Sequence, residues 1–168
     1  MRWIEMDSPF GVLGLFASDT GLVRVAWGKK ESAVFKKNAL PANFLAPGQA
    51  ERHLIHARDW LSNYFQGKNP KKLPPLDLSG QGKFSASVLK ELAKVPWGTA
   101  TTYGELARSI GNPGASRAVG QAVHRNPLCP FIACHRVLAA GGKLGGFAGG
   151  PAAKRKLLKI EGYPAPRF

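Results

Sequence analysis

The chain of 168 residues has room for one domain, or for two small domains that share an interface. Its hydrophobic fraction of 44% can supply a core, and no apolar stretch approaches the roughly 18 residues that would cross a bilayer. The first residues include acids and no apolar run, which argues against a signal peptide, so we expect a soluble intracellular protein with no membrane partner.

Basic side chains are in large excess. The formal charge is +14, from 24 Lys and Arg against 10 Asp and Glu. Residues 83–168 hold 13 basic and three acidic side chains, a net of +10, whereas residues 1–82 hold 11 and seven, a net of +4. This excess predicts a polyanionic partner. Nucleic acid is the commonest such partner, although anionic membrane or ribosome surfaces stay open on charge alone.

The N-terminal half begins with a predicted β-hairpin. Residues 13–18 and 22–27 are apolar or alternating runs, and residues 19–21 between them supply turn chemistry. Residues 28–48 contain basic pairs and prolines, and we expect a surface connection there. Apolar side chains then recur at helical spacing over residues 49–65, and Gly67 is suited to end that helix.

A change in composition marks a domain boundary. Residues 67–82 are rich in Pro, Lys, Ser and Gly, which is typical of a linker. We place the boundary inside this segment, which gives domains of residues 1–79 and 80–168.

The C-terminal half begins with a predicted pair of short helices after a longer one. Residues 84–95 have one apolar helical face and stop at Pro96. Thr102 and Glu105 fit a capping box that opens a helix to about residue 109. A Gly-containing turn leads to a basic second helix over residues 115–125, so the pair resembles a helix-turn-helix, a shape that plain packing can also produce.

The remaining residues combine predicted strands, a loop and a last helix. Phe131-Ile132-Ala133 and Val137-Leu138 have the composition of strands. Residues 141–150 contain too many glycines for a regular element, and such a loop lets a ligand approach the backbone closely. Pro151 starts a helix that runs through Leu157-Leu158.

The two cysteines, Cys129 and Cys134, lie five positions apart. An intracellular protein would rarely keep a disulfide there, and the cysteines with His124 and His135 lack the paired spacing of a zinc site, so we expect no bound metal. A thiol attacks as its thiolate, which a neighbouring base can promote. Because adjacent side chains of a strand point to opposite faces, Cys134 and His135 can act together only if the backbone turns at Cys134.

Several segments resemble the O6-alkylguanine-DNA alkyltransferase family in order and spacing. The resemblance covers residues 83–162 continuously, and it is weaker over residues 1–82, where it depends on Ser8-Pro9-Phe10-Gly11, the hairpin and the helix near residues 60–65. The segments that carry it are Pro96-Trp97-Gly98, Thr101-Thr102-Tyr103-Gly104-Glu105-Leu106-Ala107, Arg117-Ala118-Val119-Gly120-Gln121-Ala122, Asn126-Pro127, Cys134-His135-Arg136-Val137 and Leu157-Leu158-Lys159-Ile160-Glu161-Gly162.

The resemblance implies a role for each catalytic candidate. Cys134 would accept the alkyl group, and His135 would act as its base through a bound water, with Glu161 orienting the imidazole. Asn126 would brace the turn. Tyr103 would donate a proton to N3 of the departing guanine. No cofactor is implied.

The resemblance also implies a partner, double-stranded DNA bound through its minor groove with the alkylated guanine flipped out. Arg117 would enter the base stack, and the backbone carbonyls of Cys134 and Val137 would recognise the extruded base. The other candidate pocket residues are Phe147, Ala148 and Gly149, and the other candidate DNA contacts are Thr102, Ala118, Gly120, Arg125 and Lys143. We expect a monomer, with cooperative DNA binding left open.

Three positions depart from the family pattern. Ala133 replaces the usual Pro before the cysteine, which removes a restraint on the turn, and Phe147 replaces a frequent Tyr. Cys129 has no counterpart in the family's site, and we expect a buried or strand cysteine without a role.

By resemblance, the fold is a two-domain α/β (α+β) protein. It has an N-terminal ribonuclease-H-like domain and a C-terminal winged-helix domain, which contains the helix-turn-helix and holds the whole site. The expected location is the cytoplasm, with the nucleoid in a prokaryote or the nucleus in a eukaryote. Two alternatives remain: a sensor that binds alkylated DNA without repairing it, whose relatives lack the acceptor cysteine, and a thiol-based redox regulator.

Overall fold

The computed structural model describes residues 1–164, which form two compact units. The first spans Met1–Leu78, and the second begins at Ser79. Residues 165–168, the end of the expected C-terminal domain, lie outside the described residues.

The first unit contains a four-stranded sheet. Strands β1 (Arg2–Ser8), β2 (Gly11–Ala17) and β3 (Leu22–Trp27) are antiparallel neighbours, and the short β4 (Leu40–Pro41) pairs in parallel with β1. The strand order is β3-β2-β1-β4. The predicted hairpin is confirmed as β2 and β3, and the structure adds β1, for which the sequence analysis made no prediction although its polar and apolar residues alternate.

Two helices pack against this sheet. Every residue from Leu13 to Ala17 is buried, so both faces of β2 are covered. Helix α1 (Lys29–Lys36) approaches β2 closely, since a Cβ added to Gly14 would lie 2.5 Å from Oγ of Ser32. Helix α2 (Gln49–Phe65) has the bounds that periodicity predicts and contacts β1, β2 and β3.

The expectation of a surface connection over residues 28–48 is wrong. Helix α1 and strand β4 lie within it, because several polar contacts anchor this basic segment to the sheet. The backbone N–H of Trp27 donates to the Glu31 carboxylate at 2.7 Å. Glu5 on β1 accepts a hydrogen bond from Ser32 at 2.8 Å and pairs with Lys36 at 2.7 Å. Local composition does not reveal Glu5 as a partner, because it is distant in sequence from Ser32 and Lys36.

The second half of the Pro-rich linker belongs to the first unit. The N–H of Leu22 donates to the Pro75 carbonyl at 2.8 Å, and the N–H of Asp77 donates to the Leu22 carbonyl at 2.8 Å. Ser18 also donates to the Asp77 carboxylate at 2.6 Å. Gly21 lies beside this segment, and a Cβ there would be 2.6 Å from the Pro75 carbonyl oxygen.

The second unit is mainly helical. Its elements are α3 (Lys83–Leu92), β5 (Thr101–Thr102), α4 (Tyr103–Ser109), α5 (Ser116–His124), β6 (Val137–Leu138) and α6 (Gly150–Ile160). Helix α4 opens with the predicted capping box, in which the Glu105 N–H donates to the Thr102 hydroxyl at 3.2 Å and the Thr102 N–H donates to the Glu105 carboxylate at 2.7 Å. The α4–α5 pair packs against α3, and β5 runs parallel to β6.

Two predictions for the second unit differ from the structure, one for the end of a helix and one for a strand. Helix α3 ends three residues before the predicted Val95, because the residue that precedes Pro96 disfavours helical backbone. The predicted strand over Phe131-Ile132-Ala133 is wrong. The N–H of Ile132 instead donates back to the Leu128 carbonyl at 3.0 Å, which closes a turn, and only Val137–Leu138 forms a strand. None of the helices in residues 1–164 has the length and hydropathy needed to cross a lipid bilayer.

The close approach at Gly21 predicts a stability effect. Gly21→Ala should lower the free energy of unfolding of the first unit by about 1–3 kcal/mol, because the new methyl group meets backbone that cannot rotate away. Gly80→Ala is the matched control, since a Cβ there meets no atom within 4 Å and should change stability by less than about 0.5 kcal/mol. Urea denaturation of both full-length variants checks this, and equal midpoints would contradict it.

Candidate active site

Asn126 holds the backbone that presents Cys134. Its side-chain amide donates to the Ile132 carbonyl at 2.7 Å, and its oxygen accepts from the Leu128 N–H at 3.0 Å. The chain then enters a single 3₁₀ turn, Cys134–Arg136. The backbone therefore turns at Cys134, which is the condition for Cys134 and His135 to act on the same side.

Ala133 adopts a conformation that proline would share. Its φ of −79° lies within the range that a proline ring allows. The turn thus forms without the ring that the family usually places here, because Asn126 supplies hydrogen bonds that define it.

Glu161 joins His135 to Arg136 in a buried cluster. One carboxylate oxygen, Oε1, accepts from Nε2 of His135 at 2.6 Å. Arg136 donates through Nε to Oε2 at 2.7 Å and through a terminal nitrogen to Oε1 at 3.0 Å, and it also donates to the Val95 carbonyl. His135 is 0% exposed and Glu161 is 4% exposed, so these interactions occur away from water.

The charges in this cluster set the protonation of the imidazole. Burial alone would raise the pKa of Glu161, but hydrogen bonds from His135 and Arg136 outweigh it and lower that pKa to about 2. Burial lowers the pKa of His135 below its usual value, against the opposing effect of Glu161. His135 is therefore neutral near pH 7. Since Nε2–H donates to the carboxylate, the lone pair is on Nδ1, which can accept a proton.

Cys134 lies in surroundings that favour its thiolate. The hydrogen bond from Cys129 is the largest influence that lowers the pKa of Cys134, and it acts together with Asn126 and the positive charge of Lys154 against the opposing effect of burial. Cys134 is only 7% exposed. Its thiol is thus activated yet shielded from bulk solvent.

Tyr103 opens helix α4 and faces the same region. Burial raises the pKa of its hydroxyl, and the charge of Cys134 raises it further, so Tyr103 stays protonated near pH 7. A Cβ added to Gly120 would lie 3.7 Å from the Tyr103 ring, which shows that α5 packs its backbone onto that ring.

Lys154 connects helix α6 to the Gly-rich loop. Its ammonium group donates to the Val137 carbonyl at 2.6 Å and to the Gly146 carbonyl at 3.2 Å. The side chain is fully buried, and burial lowers its pKa to about 8. Of the candidate pocket residues, Val137 is buried, Phe147 is half-buried, and Ala148 and Gly149 are exposed. A Cβ at Gly149 would lie 2.8 Å from the Phe147 ring, so a larger residue there would displace the ring.

The candidate DNA contacts lie at or near the surface. Arg117 and Ala118 are exposed in the first turn of α5, and Arg125 follows its end. Lys143 is exposed in the Gly-rich loop. Gly120 and Thr102 are half-buried, and the Thr102 hydroxyl takes part in the capping box.

Sequence reasoning missed three residues of the site. Arg136 and Cys129 drew no role, although Arg136 stands in the quoted Cys-His-Arg segment. Lys154 had a detectable signal, since it precedes Leu157 and Leu158 by three and four positions and thus lies on the apolar face of α6. A lysine on such a face needs buried partners.

Comparison with known proteins identifies the family. The family model described as 6-O-methylguanine DNA methyltransferase, ribonuclease-like domain, matches residues 1–79, and the model of the DNA binding domain of the same family matches residues 83–163. The chain belongs to the 6-O-methylguanine DNA methyltransferase family.

Relatives match it over nearly their whole length. A methylated-DNA–protein-cysteine methyltransferase of Methanosarcina mazei is 48% identical over 162 residues, 96% of this chain and 97% of its own. The protein of the same name from Methanosarcina acetivorans is 39% identical over 163 residues, 96% and 99% of the two chains. Mycobacterium tuberculosis OGT in complex with DNA has a similar fold, with a TM-score of 0.81, 36% identity, and 98% and 96% of the chains covered. The fold class expected for this methyltransferase family is confirmed.

The lowered pKa of Glu161 predicts a pH effect on stability. Because the folded pKa of about 2 lies below the usual 4.5, ionised Glu161 stabilises the fold fully above about pH 4.5, and this contribution is lost as the pH falls toward 2. Glu161→Gln should therefore destabilise the protein by an amount on the order of 3 kcal/mol near pH 7 and by much less near pH 2.

Urea denaturation across this pH range measures the difference. Asp59→Asn serves as control, because Asp59 is exposed and its side chain pairs with the neighbouring Arg58, and it should change stability near pH 7 by less than about 0.5 kcal/mol. A difference between wild type and Glu161→Gln that stays constant with pH would contradict the assignment.

Proposed function

We propose that this chain repairs DNA by moving an alkyl group from O6 of guanine to the sulfur of its own Cys134. Membership of the family gives the reaction class, DNA repair by alkyl transfer to a cysteine of the protein. The observation that supports Cys134 as acceptor is its activated, buried thiol in a turn beside neutral His135, which Glu161 and Arg136 hold in place.

The chemistry proceeds through one displacement. His135 takes up the thiol proton and becomes an imidazolium that the Glu161 carboxylate stabilises. The Cys134 thiolate attacks the alkyl carbon, a C–S bond forms, and the bond from that carbon to O6 breaks. The electron pair passes to the guanine, which Tyr103 protonates at N3. The thioether does not readily release the alkyl group, so each molecule acts once.

The substrate has to leave the base stack before this step, since a protein sulfur cannot reach the O6 substituent inside a duplex. Arg117 at the exposed start of α5 fills the gap, and Phe147, Ala148, Gly149 and Val137 surround the extruded base. The protein binds as a monomer through the minor groove, and the remaining basic side chains bind phosphates irrespective of sequence. This activity places it with the DNA, in the cytoplasm or nucleoid.

The sensor alternative lacks support. A sensor needs recognition alone, whereas this chain retains the acceptor thiol and the His135–Glu161 pair that activates it. The relatives above are also named as transferases.

The first test follows the methyl group. Incubation with a duplex that contains O6-methylguanine should place one methyl group on each protein molecule, at Cys134, as found by peptide mass spectrometry. Cys134→Ala should bind the duplex and remain unmodified, and Cys129→Ala should still be modified at Cys134. Binding without modification of the wild type would favour a sensor, and modification elsewhere would overturn the choice of Cys134.

The second test concerns the leaving group. Tyr103→Phe retains the ring that packs against Gly120 and removes only the proton donor. The single-turnover rate of methyl transfer should fall by about 10²–10⁴-fold, while DNA affinity measured by fluorescence anisotropy stays unchanged. A rate within about twofold of the wild type would exclude Tyr103 as the donor.

A further inference from the structure

Cys129 lies between the two groups that must exchange a proton. Its Sγ is 3.9 Å from Nδ1 of His135, and Cys134 is the neighbouring side chain that, after burial, most affects the ionisation of Cys129. All three side chains are buried. The nitrogen that faces Cys129 is the one with the lone pair, because Nε2–H is engaged by Glu161. The thiol of Cys129 thus contacts the base and has Cys134 as its other neighbour, which is the placement that a link between the two requires.

The two thiols are not equivalent. Burial, followed by the neighbouring Cys134, raises the pKa of Cys129 well above its usual value, whereas the hydrogen bond from Cys129 lowers that of Cys134. Cys129 therefore remains a thiol when Cys134 is ionised. Cys129 donates its hydrogen to the thiolate sulfur of Cys134. As a neutral thiol, Cys129 is a poor nucleophile toward the alkyl carbon, but its hydrogen bond suits the nucleophile Cys134.

We propose that Cys129 is a positioning residue that passes the Cys134 proton to His135 and then holds the thiolate by a hydrogen bond. The proposal rests on the proposed function for its role in repair. The S–H bond of Cys134 breaks as its proton binds the Cys129 sulfur, and the original Cys129 proton moves to Nδ1 of His135. The products are a thiolate at Cys134, an intact thiol at Cys129 and an imidazolium opposite the Glu161 carboxylate, so charge and protons balance.

The other titratable or charged groups that face this link are Glu161 and Arg136 in the buried cluster, Lys154 on α6 and Tyr103 on α4. Substitution of Cys129 leaves all of them in place. A difference in pH dependence between Cys129 variants therefore measures the effect of the Cys129 side chain on the ionisation of Cys134.

The test compares Cys129→Ala, which breaks the link, with Cys129→Ser, whose hydroxyl can still pass a proton and donate a hydrogen bond. Full-length proteins under reducing conditions are titrated by thiolate ultraviolet absorbance, and their single-turnover methyl transfer from an O6-methylguanine duplex is followed across pH. In Cys129→Ala the midpoint for ionisation of Cys134 should rise by about one unit, so the rate near pH 7 falls about tenfold and recovers at high pH. Cys129→Ser should remain close to the wild type.

Two results would overturn the proposal. One is a Cys129→Ala profile that superimposes on that of the wild type, which would assign the transfer to another route such as a bound water. The other is an equal loss of rate at every pH in both variants, which would indicate a packing role. If the wild type itself transfers no methyl group, the proposed function fails, while the absorbance titration still tests the link.

Discussion

The buried Glu161 carboxylate is the interaction on which the second unit and its chemistry depend. It comes from the end of α6 and accepts hydrogen bonds from His135 and Arg136, which belong to the turn before β6. A buried carboxylate without partners would be costly, and so would a buried guanidinium. Each of these groups therefore requires the others, and the same contacts that fasten α6 to the turn fix the tautomer of the imidazole.

Activation of the thiol then follows from geometry rather than from any single strong base. Burial keeps His135 neutral, Asn126 defines the turn, and Cys129 donates to the sulfur. Burial opposes thiolate formation, so hydrogen bonds and the nearby Lys154 must outweigh it. Low exposure has a compensating benefit, because a nucleophile that is used only once is wasted if it meets a small electrophile in solvent.

Features encoded by local pattern were predictable from the sequence. The capping box at Thr102 and Glu105, the β2–β3 hairpin and helix α2 each depend on neighbours within a few residues. The resemblance to the family, which depends on the order of the motifs, predicted that Cys134, His135 and Glu161 form one site. In the structure His135 and Glu161 are hydrogen-bonded, although 25 positions of irregular backbone, strand and helix separate them in sequence. Periodicity alone could not predict this pairing.

The errors have a common physical cause. Phe131-Ile132-Ala133 has the composition of a strand. The Asn126 side chain, however, donates to the Ile132 carbonyl and takes the place of the backbone hydrogen bond that a neighbouring strand would make. Helix α1 is anchored through Glu5 on a strand that the sequence prediction omits. The position of Lys154 on the apolar face of α6 indicates burial, but only the fold shows that its partners are the carbonyls of Val137 and Gly146.

Glu5 and Lys154 find their partners through the tertiary fold, and Asn126 finds its partner across a turn that strand-like composition does not reveal. The polar contacts of a reactive site are mostly of this kind, because a catalytic group must be held by residues from several elements. The same reasoning explains why Cys129 attracted no role from sequence. Cys129 has no counterpart in the family, so a role can be assigned to it only once the structure shows its neighbours. These are the activated sulfur of Cys134 and the lone pair of the buried His135 imidazole.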